Sequence, residues 1–164
     1  MITIMIGISG SGKSTYANKL RQRICSTDRF IDTYAEKLGV RYDEAFDQIQ
    51  LLGVFGDLNN RFYSEINQAI SQGEDFIIDR TNLTVRSREQ LLIKIREFAD
   101  SIGVKVIIKG IVFDLNKVEI LKRLTQREKM EGKQIPQDVI DKQFKMYESP
   151  TIEEGFDVLE QKHE

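Results

Sequence analysis

The chain has 164 residues, 40% hydrophobic and 30% charged, with a formal net charge of −2, which suits one domain (1–164) around one core and gives no basic field for coating nucleic acid, while leaving open an enzyme that grips only a strand end. No apolar run approaches the length that spans a membrane. A single cysteine, Cys25, and a single histidine, His163, exclude an internal disulfide, a cysteine metal cluster and histidine catalysis, so the expected compartment is a reducing cytosol and any general base must be a carboxylate.

The opening Met1-Ile2-Thr3-Ile4-Met5-Ile6 has no basic flank and is not expected to be a signal peptide. Residues 2–8 read as a continuous apolar strand, Ser14 to about Gln22 as a helix, and Arg23-Ile24-Cys25-Ser26 as a short strand. Phe46, Ile49, Leu52, Phe55 and Leu58 recur at near-helical spacing, so 42–72 is expected to be largely helical, with a break at Gly53 and Gly56. Phe76-Ile77-Ile78-Asp79 reads as a strand after the Gln72-Gly73 turn. Thr84 caps the next helix, which ends near Gly103, and Val104 to Phe113 forms a long strand. Helices follow at about 116–130 and 137–148. This alternation predicts an α/β fold of three layers, with a parallel sheet of four to five strands, helices on both faces and a small helical lid. Ligands of such folds sit at the carboxyl ends of the strands.

Gly7-Ile8-Ser9-Gly10-Ser11-Gly12-Lys13-Ser14-Thr15 follows the first strand and opens the first helix. The pattern Gly-x4-Gly-Lys-Ser in that context is a P-loop. Gly7 allows the turn out of the strand, and Gly10 and Gly12 allow backbone conformations and approaches that a Cβ blocks. Ser11, Gly12, Ser14 and Thr15 bring amides to the nucleotide phosphates, Lys13 reaches the β- and γ-phosphates, and the Ser14 hydroxyl ligates Mg²⁺. ATP and Mg²⁺ are the expected ligands.

Two near-matches to GTPase motifs fail. Asp100-Ser101-Ile102-Gly103 lies at a helix end, where Gly103 is the residue past the cap. Asn116-Lys117-Val118-Glu119 has Glu where Asp is required and reads as a capping box.

A kinase needs a base at the acceptor hydroxyl, an acid to help hold Mg²⁺, and cations over the transferring group. Asp28, in Ser26-Thr27-Asp28-Arg29-Phe30, is the candidate base, with Asp32 as its rival; a turn or cap aspartate is the plainer reading. Asp79 ends an apolar strand and is the candidate metal acid, against a purely structural role. Arg123 and Arg127 lie four apart on one helix face, followed by the polar segment Glu128 to Gln134. This reads as a lid over the phosphates at about 123–135, or as a solvated helix face. Arg29, Arg80 and Arg88, among other arginines, are candidates for contacts to acceptor phosphates.

With these residues assembled, the chain resembles the kinase domain of the phage-type and eukaryotic 5′-polynucleotide kinases and related small P-loop kinases. The resemblance rests on the P-loop, Asp28 after the second strand, and Asp79-x-Thr81-Asn82-Leu83. It continues through Arg123-x3-Arg127, Ile135-Pro136 and Phe144-x2-Tyr147-Glu148-x-Pro150-Thr151-x2-Glu154-Gly155-Phe156. It implies that Asp28 is the base on a 5′-hydroxyl, that Arg127 contacts the phosphates with Arg123 in support, and that Asp79 sits near the acceptor or metal. It departs at Ile31, where the phage enzymes carry an acceptor arginine. The expected reaction is γ-phosphoryl transfer from ATP to a 5′-hydroxyl end of RNA or DNA. A small-molecule kinase of the sugar-acid or nucleoside type, or a binding module with slow ATPase activity, are the alternatives.

Overall fold

The computed structural model describes residues 1–113, 116–131 and 135–162. Residues 132–134 of the expected lid, and His163, lie outside the described residues.

Five strands form one parallel sheet: β1 (Ile2–Ile6), β2 (Arg23–Cys25), β3 (Phe76–Ile78), β4 (Ile108–Phe113) and β5 (Val158–Lys162), in the order β2-β3-β1-β4-β5. The helices are α1 (Lys13–Lys19), α2 (Thr27–Leu38), α3 (Tyr42–Leu51), α4 (Phe55–Ser71), α5 (Val85–Ser101), α6 (Lys117–Glu131) and α7 (Gln137–Met146). Among the described residues, no helix is long and apolar enough to cross a membrane.

The two-residue period of β1 divides its side chains between two layers. Ile2, Ile4 and Ile6 pack with Phe62 and Ile66 of α4 and Leu91 and Ile95 of α5. Met5 packs with Ile77, Ile111, Phe113 and Ala17 of α1. The central strands are therefore largely apolar on both faces, broken only by Thr3 in β1 and by Lys109 in β4, which pairs with Glu160.

The expected break in 42–72 falls at Leu52–Val54, where Gly53 has a φ of 67° between α3 and α4, whereas Gly56 lies within the first turn of α4. Thr84 caps α5 by accepting from the Ser87 N–H at 3.2 Å. Asn116 accepts from the Glu119 N–H at 2.9 Å, as the capping reading requires, and Gly103 has a φ of 70° just past α5. The fourth strand is shorter than expected, because residues 104–107 lead into β4 without joining it. Helix α2 and strand β5 were not anticipated. Strand β5 is half exposed and polar, as an edge strand with one neighbour permits.

Candidate nucleotide and phosphoryl-transfer site

Strand order changes direction between β3 and β1, and the carboxyl ends of these two strands carry the site. The P-loop leaves β1 and is tied at once to the end of β3, since the Gly7 N–H donates to the Thr81 carbonyl at 2.9 Å. Asn82 completes this joint. It is buried, adopts a φ of 49°, and donates its amide to the Met5 carbonyl at 2.8 Å. Asparagine tolerates the left-handed region and its amide supplies a donor to the buried carbonyl of Met5, so Thr81-Asn82 acts as a strand-to-loop staple.

Two glycines of the loop are required by close approach. A Cβ on Gly7 would lie 2.9 Å from the Phe113 carbonyl oxygen. One on Gly10, at φ 84°, would lie 2.9 Å from Leu124 of α6. The expectation for Gly10 concerned approach to phosphate; α6 pressed against the loop is a further reason for it. Gly12 takes a φ of 94° as the residue that opens α1.

Lys13 is buried, with its ammonium donating to the Ile8 carbonyl at 2.8 Å and to the Ser11 hydroxyl at 3.3 Å. Burial pushes its pKa down to about 8. The carboxylates of Asp79 and then Asp28 oppose that fall, and the Arg127 guanidinium adds to it. Residues distant in sequence thus act on one ammonium. Asp79 stands half-buried just past β3, its N–H on the Cys25 carbonyl at 3.0 Å. Ser14 and Thr15 lie in the first turn of α1.

Asp28 sits in the first turn of α2, where Ser26, not Asp28, is the N-cap. Ser26 accepts from the Asp28 N–H at 3.2 Å, so the Asp28 carboxylate is not used for capping. One of its oxygens accepts from the Tyr42 hydroxyl at 3.2 Å. Burial, then the Asp28 carboxylate, raise the Tyr42 pKa well above its usual range, with Asp32 contributing and Arg127 opposing. Tyr42, the first residue of α3, was not anticipated. Its signal is faint: a tyrosine opening a helix after Gly39-Val40-Arg41 has no motif around it.

Arg123 pairs with Glu119 along α6 at 3.2 Å, whereas Arg127, one turn on, reaches the electrostatic neighbourhood of Lys13 and Tyr42. Gln143 of α7 was also not anticipated. It accepts from the Ser9 N–H at 2.8 Å and donates to the Ser9 hydroxyl at 3.0 Å.

The arginines expected at an acceptor separate. Arg80, next to Asp79, lies over the Phe62 ring at 4.8 Å and lines a cleft. Arg29 folds back to the Ile24 carbonyl at 2.9 Å. Arg88 is placed elsewhere: it is 0% exposed, grips Glu154 through two bonds of 2.6 and 2.8 Å, and donates to the Asn82 carbonyl at 3.0 Å. A guanidinium fully buried and paired in that way belongs to the packing of α5. Ile31 is buried among Ala35, Ala45, Ile49 and Leu58, where an arginine would break the α2–α3–α4 core.

The closing segment also acts on α5. Glu148 accepts from the Val85 N–H at 2.7 Å and donates its own N–H to the Leu83 carbonyl at 2.9 Å. Its likeness to the kinase segment therefore marks a brace that holds the loop after Asp79.

The residues suit Mg²⁺. A hydroxyl at Ser14 in the first turn of α1 and a half-buried carboxylate at Asp79, which acts on the buried Lys13, are oxygen donors of the type that Mg²⁺ takes together with phosphates and water. Among the described residues no group of three acidic, cysteine or histidine side chains forms a closed metal cage.

A family described as an AAA domain, AAA_33, matches residues 2–150. The sequence has no match among curated proteins. In structure the chain is similar to a protein from Chloroflexus aurantiacus provisionally described as a kinase, with a TM-score of 0.69, 14% identity, and coverage of 98% of this chain and 83% of that one. It is similar to a component of the Pnkp1/Rnl/Hen1 RNA repair complex, with a TM-score of 0.65, 22% identity, and coverage of 88% of this chain and 43% of that one. A sugar kinase from Janibacter gives a TM-score of 0.58 at 19% identity, covering 97% and 84%. These likenesses are likenesses of fold. The chain belongs to the AAA_33 family of AAA domains and has a P-loop kinase-like fold.

Proposed function

We propose that the protein transfers the γ-phosphoryl group of ATP to a 5′-hydroxyl end of RNA or DNA. The observation that carries this reading is Asp28. Its carboxylate is held by Tyr42 and, with Asp79 and Arg127, acts on the buried Lys13. Lys13 and the loop amides from Gly10 to Thr15 hold the nucleotide phosphates, and Arg127, supported by Arg123, meets the charge that develops on the transferred group. Asp28 takes the proton of the acceptor hydroxyl, the freed oxygen bonds to the γ-phosphorus, and the bond to the ADP oxygen breaks. Ser14 and Asp79 are the residues to hold Mg²⁺, which when bound neutralises phosphate charge. Arg80 and Arg29 stand nearest the acceptor in this scheme. We place the reaction in the cytosol, where the free, buried Cys25 stays reduced.

The nucleic-acid acceptor is supported by the resemblance of the Asp-x-Thr-Asn and closing segments to polynucleotide kinases. The fold likeness to an RNA repair component agrees with it. The likeness to a sugar kinase over most of both chains supports a small-molecule acceptor as the second reading. Label transfer from γ-labelled ATP with Mg²⁺ to a panel of 5′-hydroxyl oligonucleotides, nucleosides and sugar acids separates the two. Label on oligonucleotides is expected; label on a small acceptor alone overturns the proposal.

A further inference from the structure

The loop after Asp79 also walls a cleft of about 340 Å³ that no P-loop residue lines. That size lies within the range of roughly 300–1,000 Å³ typical of ligand sites. Its far wall comes from α4 and α5. Two cations line it, Arg80 and Lys94, and no carboxylate does, although acidic residues outnumber basic ones by 26 to 24 in the chain.

Both cations are held by aromatic faces. The Arg80 guanidinium lies 4.8 Å from the Phe62 ring centre and the Lys94 ammonium 4.1 Å from that of Tyr63. An aromatic face fixes a cation without neutralising it, so its charge remains available to an anion. Among the described residues neither cation is ion-paired with a carboxylate. The amides of Asn59 and Gln90 and the hydroxyl of Thr84 add donors and acceptors suited to base edges and sugar hydroxyls. Arg80 follows Asp79 directly, and Thr81 holds the P-loop through Gly7. One loop is therefore the shared wall of the phosphate cradle and the cleft.

We propose that this cleft receives the nucleotide immediately 3′ of the acceptor, with the connecting phosphate between Arg80 and Lys94 and the base edge against Asn59 and Gln90. The proposal rests on the reading of the acceptor as a nucleic-acid end. A lone nucleoside or a sugar acid has no phosphate to place there, so the cleft favours strands over small acceptors.

Lys94 is exposed, so Lys94→Glu and Lys94→Ala are expected to fold, with Tm as the check. Binding is read by the anisotropy of a 3′-fluorescein 5′-hydroxyl tetranucleotide in the presence of ADP. Transfer is read with γ-labelled ATP on the same tetranucleotide and on a nucleoside. Lys94→Glu is expected to weaken tetranucleotide binding about tenfold, as the loss of one charge-assisted contact does. Lys94→Ala is expected to reduce the slope of log affinity against log salt by about 0.7, one phosphate contact on a single strand. Unchanged affinity and slope in Lys94→Glu and Arg80→Gln, with the wild type labelling the tetranucleotide, overturn the cleft and leave the acceptor reading intact. A wild type that binds the tetranucleotide through Lys94 but labels only small acceptors overturns the acceptor reading and the 3′-nucleotide assignment with it, leaving the cleft only as a strand-binding surface. A wild type that does not bind the tetranucleotide overturns both.

Discussion

The Gln143 carboxamide holds Ser9 at two points, accepting from its backbone N–H at 2.8 Å and donating to its hydroxyl at 3.0 Å. The backbone N–H only donates, so the orientation of the amide is fixed by its partner. The residues are 134 apart in sequence. Through this contact α7 braces the phosphate-binding loop.

Gln143→Ala is therefore expected to raise the KM for ATP several-fold with little change in Tm, since each lost neutral bond contributes only about 0.5–1.5 kcal/mol. Gln143→Glu keeps an acceptor for the Ser9 N–H and loses the donor, and should fall between the two. An unchanged KM for ATP in Gln143→Ala would remove α7 from the support of the loop.

Asp28 and Tyr42 give a graded pair. Asp28→Asn is expected to lower kcat by about two to four decades while ATP affinity is retained. Tyr42→Phe removes only the hydroxyl that donates to Asp28 at 3.2 Å. It should lower kcat by about tenfold, in line with one hydrogen bond to a charged group. Near-normal turnover in Asp28→Asn would transfer the base to Asp32.

Arg88 and Glu154 test the division between site and scaffold. Their side chains are 0% and 5% exposed. Removing either partner strands a buried charge, so Arg88→Ala or Glu154→Ala should cost about 3–5 kcal/mol by urea unfolding. The KM for the acceptor, measured on the folded fraction, should stay at the wild-type value. Wild-type stability combined with a raised acceptor KM would return Arg88 to the acceptor site.

Lys13 has a consequence for pH. Its free-enzyme pKa lies at about 8, below the ordinary 10.5, because burial disfavours the ammonium. Phosphate binding needs that ammonium, so kcat/KM for ATP, which reports the free enzyme, should fall as pH rises through about 8. For stability the sign is opposite. Between about 8 and 10.5 the unfolded lysine holds a proton that the folded one has released, so the cost of burying this ammonium is progressively relieved and stability rises with pH through that window. A flat kcat/KM profile for ATP from pH 7 to 9 would contradict the assignment.

The P-loop and its role were legible in the sequence because the motif is contiguous. Strand, glycine turn and helix succeed one another within residues 2–19, although the neighbours that crowd Gly7 and Gly10, Phe113 and Leu124, come from distant elements. The breaks at Gly53 and Gly103 and the caps at Thr84 and Asn116 were legible for the same reason, since a turn or a cap is decided by neighbours in the chain. Helix α2 was missed although Phe30, Ile31, Tyr34, Ala35 and Leu38 recur at helical spacing, because its first turn reads as a loop carrying a catalytic residue. Strand β5 was missed because an exposed edge strand lacks the alternation that a buried one shows.

What only the tertiary structure decided is which of the charged residues meet. By sequence Arg29, Arg80 and Arg88 were equal candidates. Packing turned Arg88 inward onto Glu154, folded Arg29 onto β2 and left Arg80 at a cleft. Tyr42 on Asp28 and Gln143 on Ser9 had no sequence signature, because a side-chain contact between elements distant in the chain leaves no periodicity in either one. The sequence by itself determined a phosphate cradle and the alternating fold that presents it. Strand order and helix packing determined what stands around that cradle, because long-range neighbours are chosen by the burial of whole faces and not by local pattern.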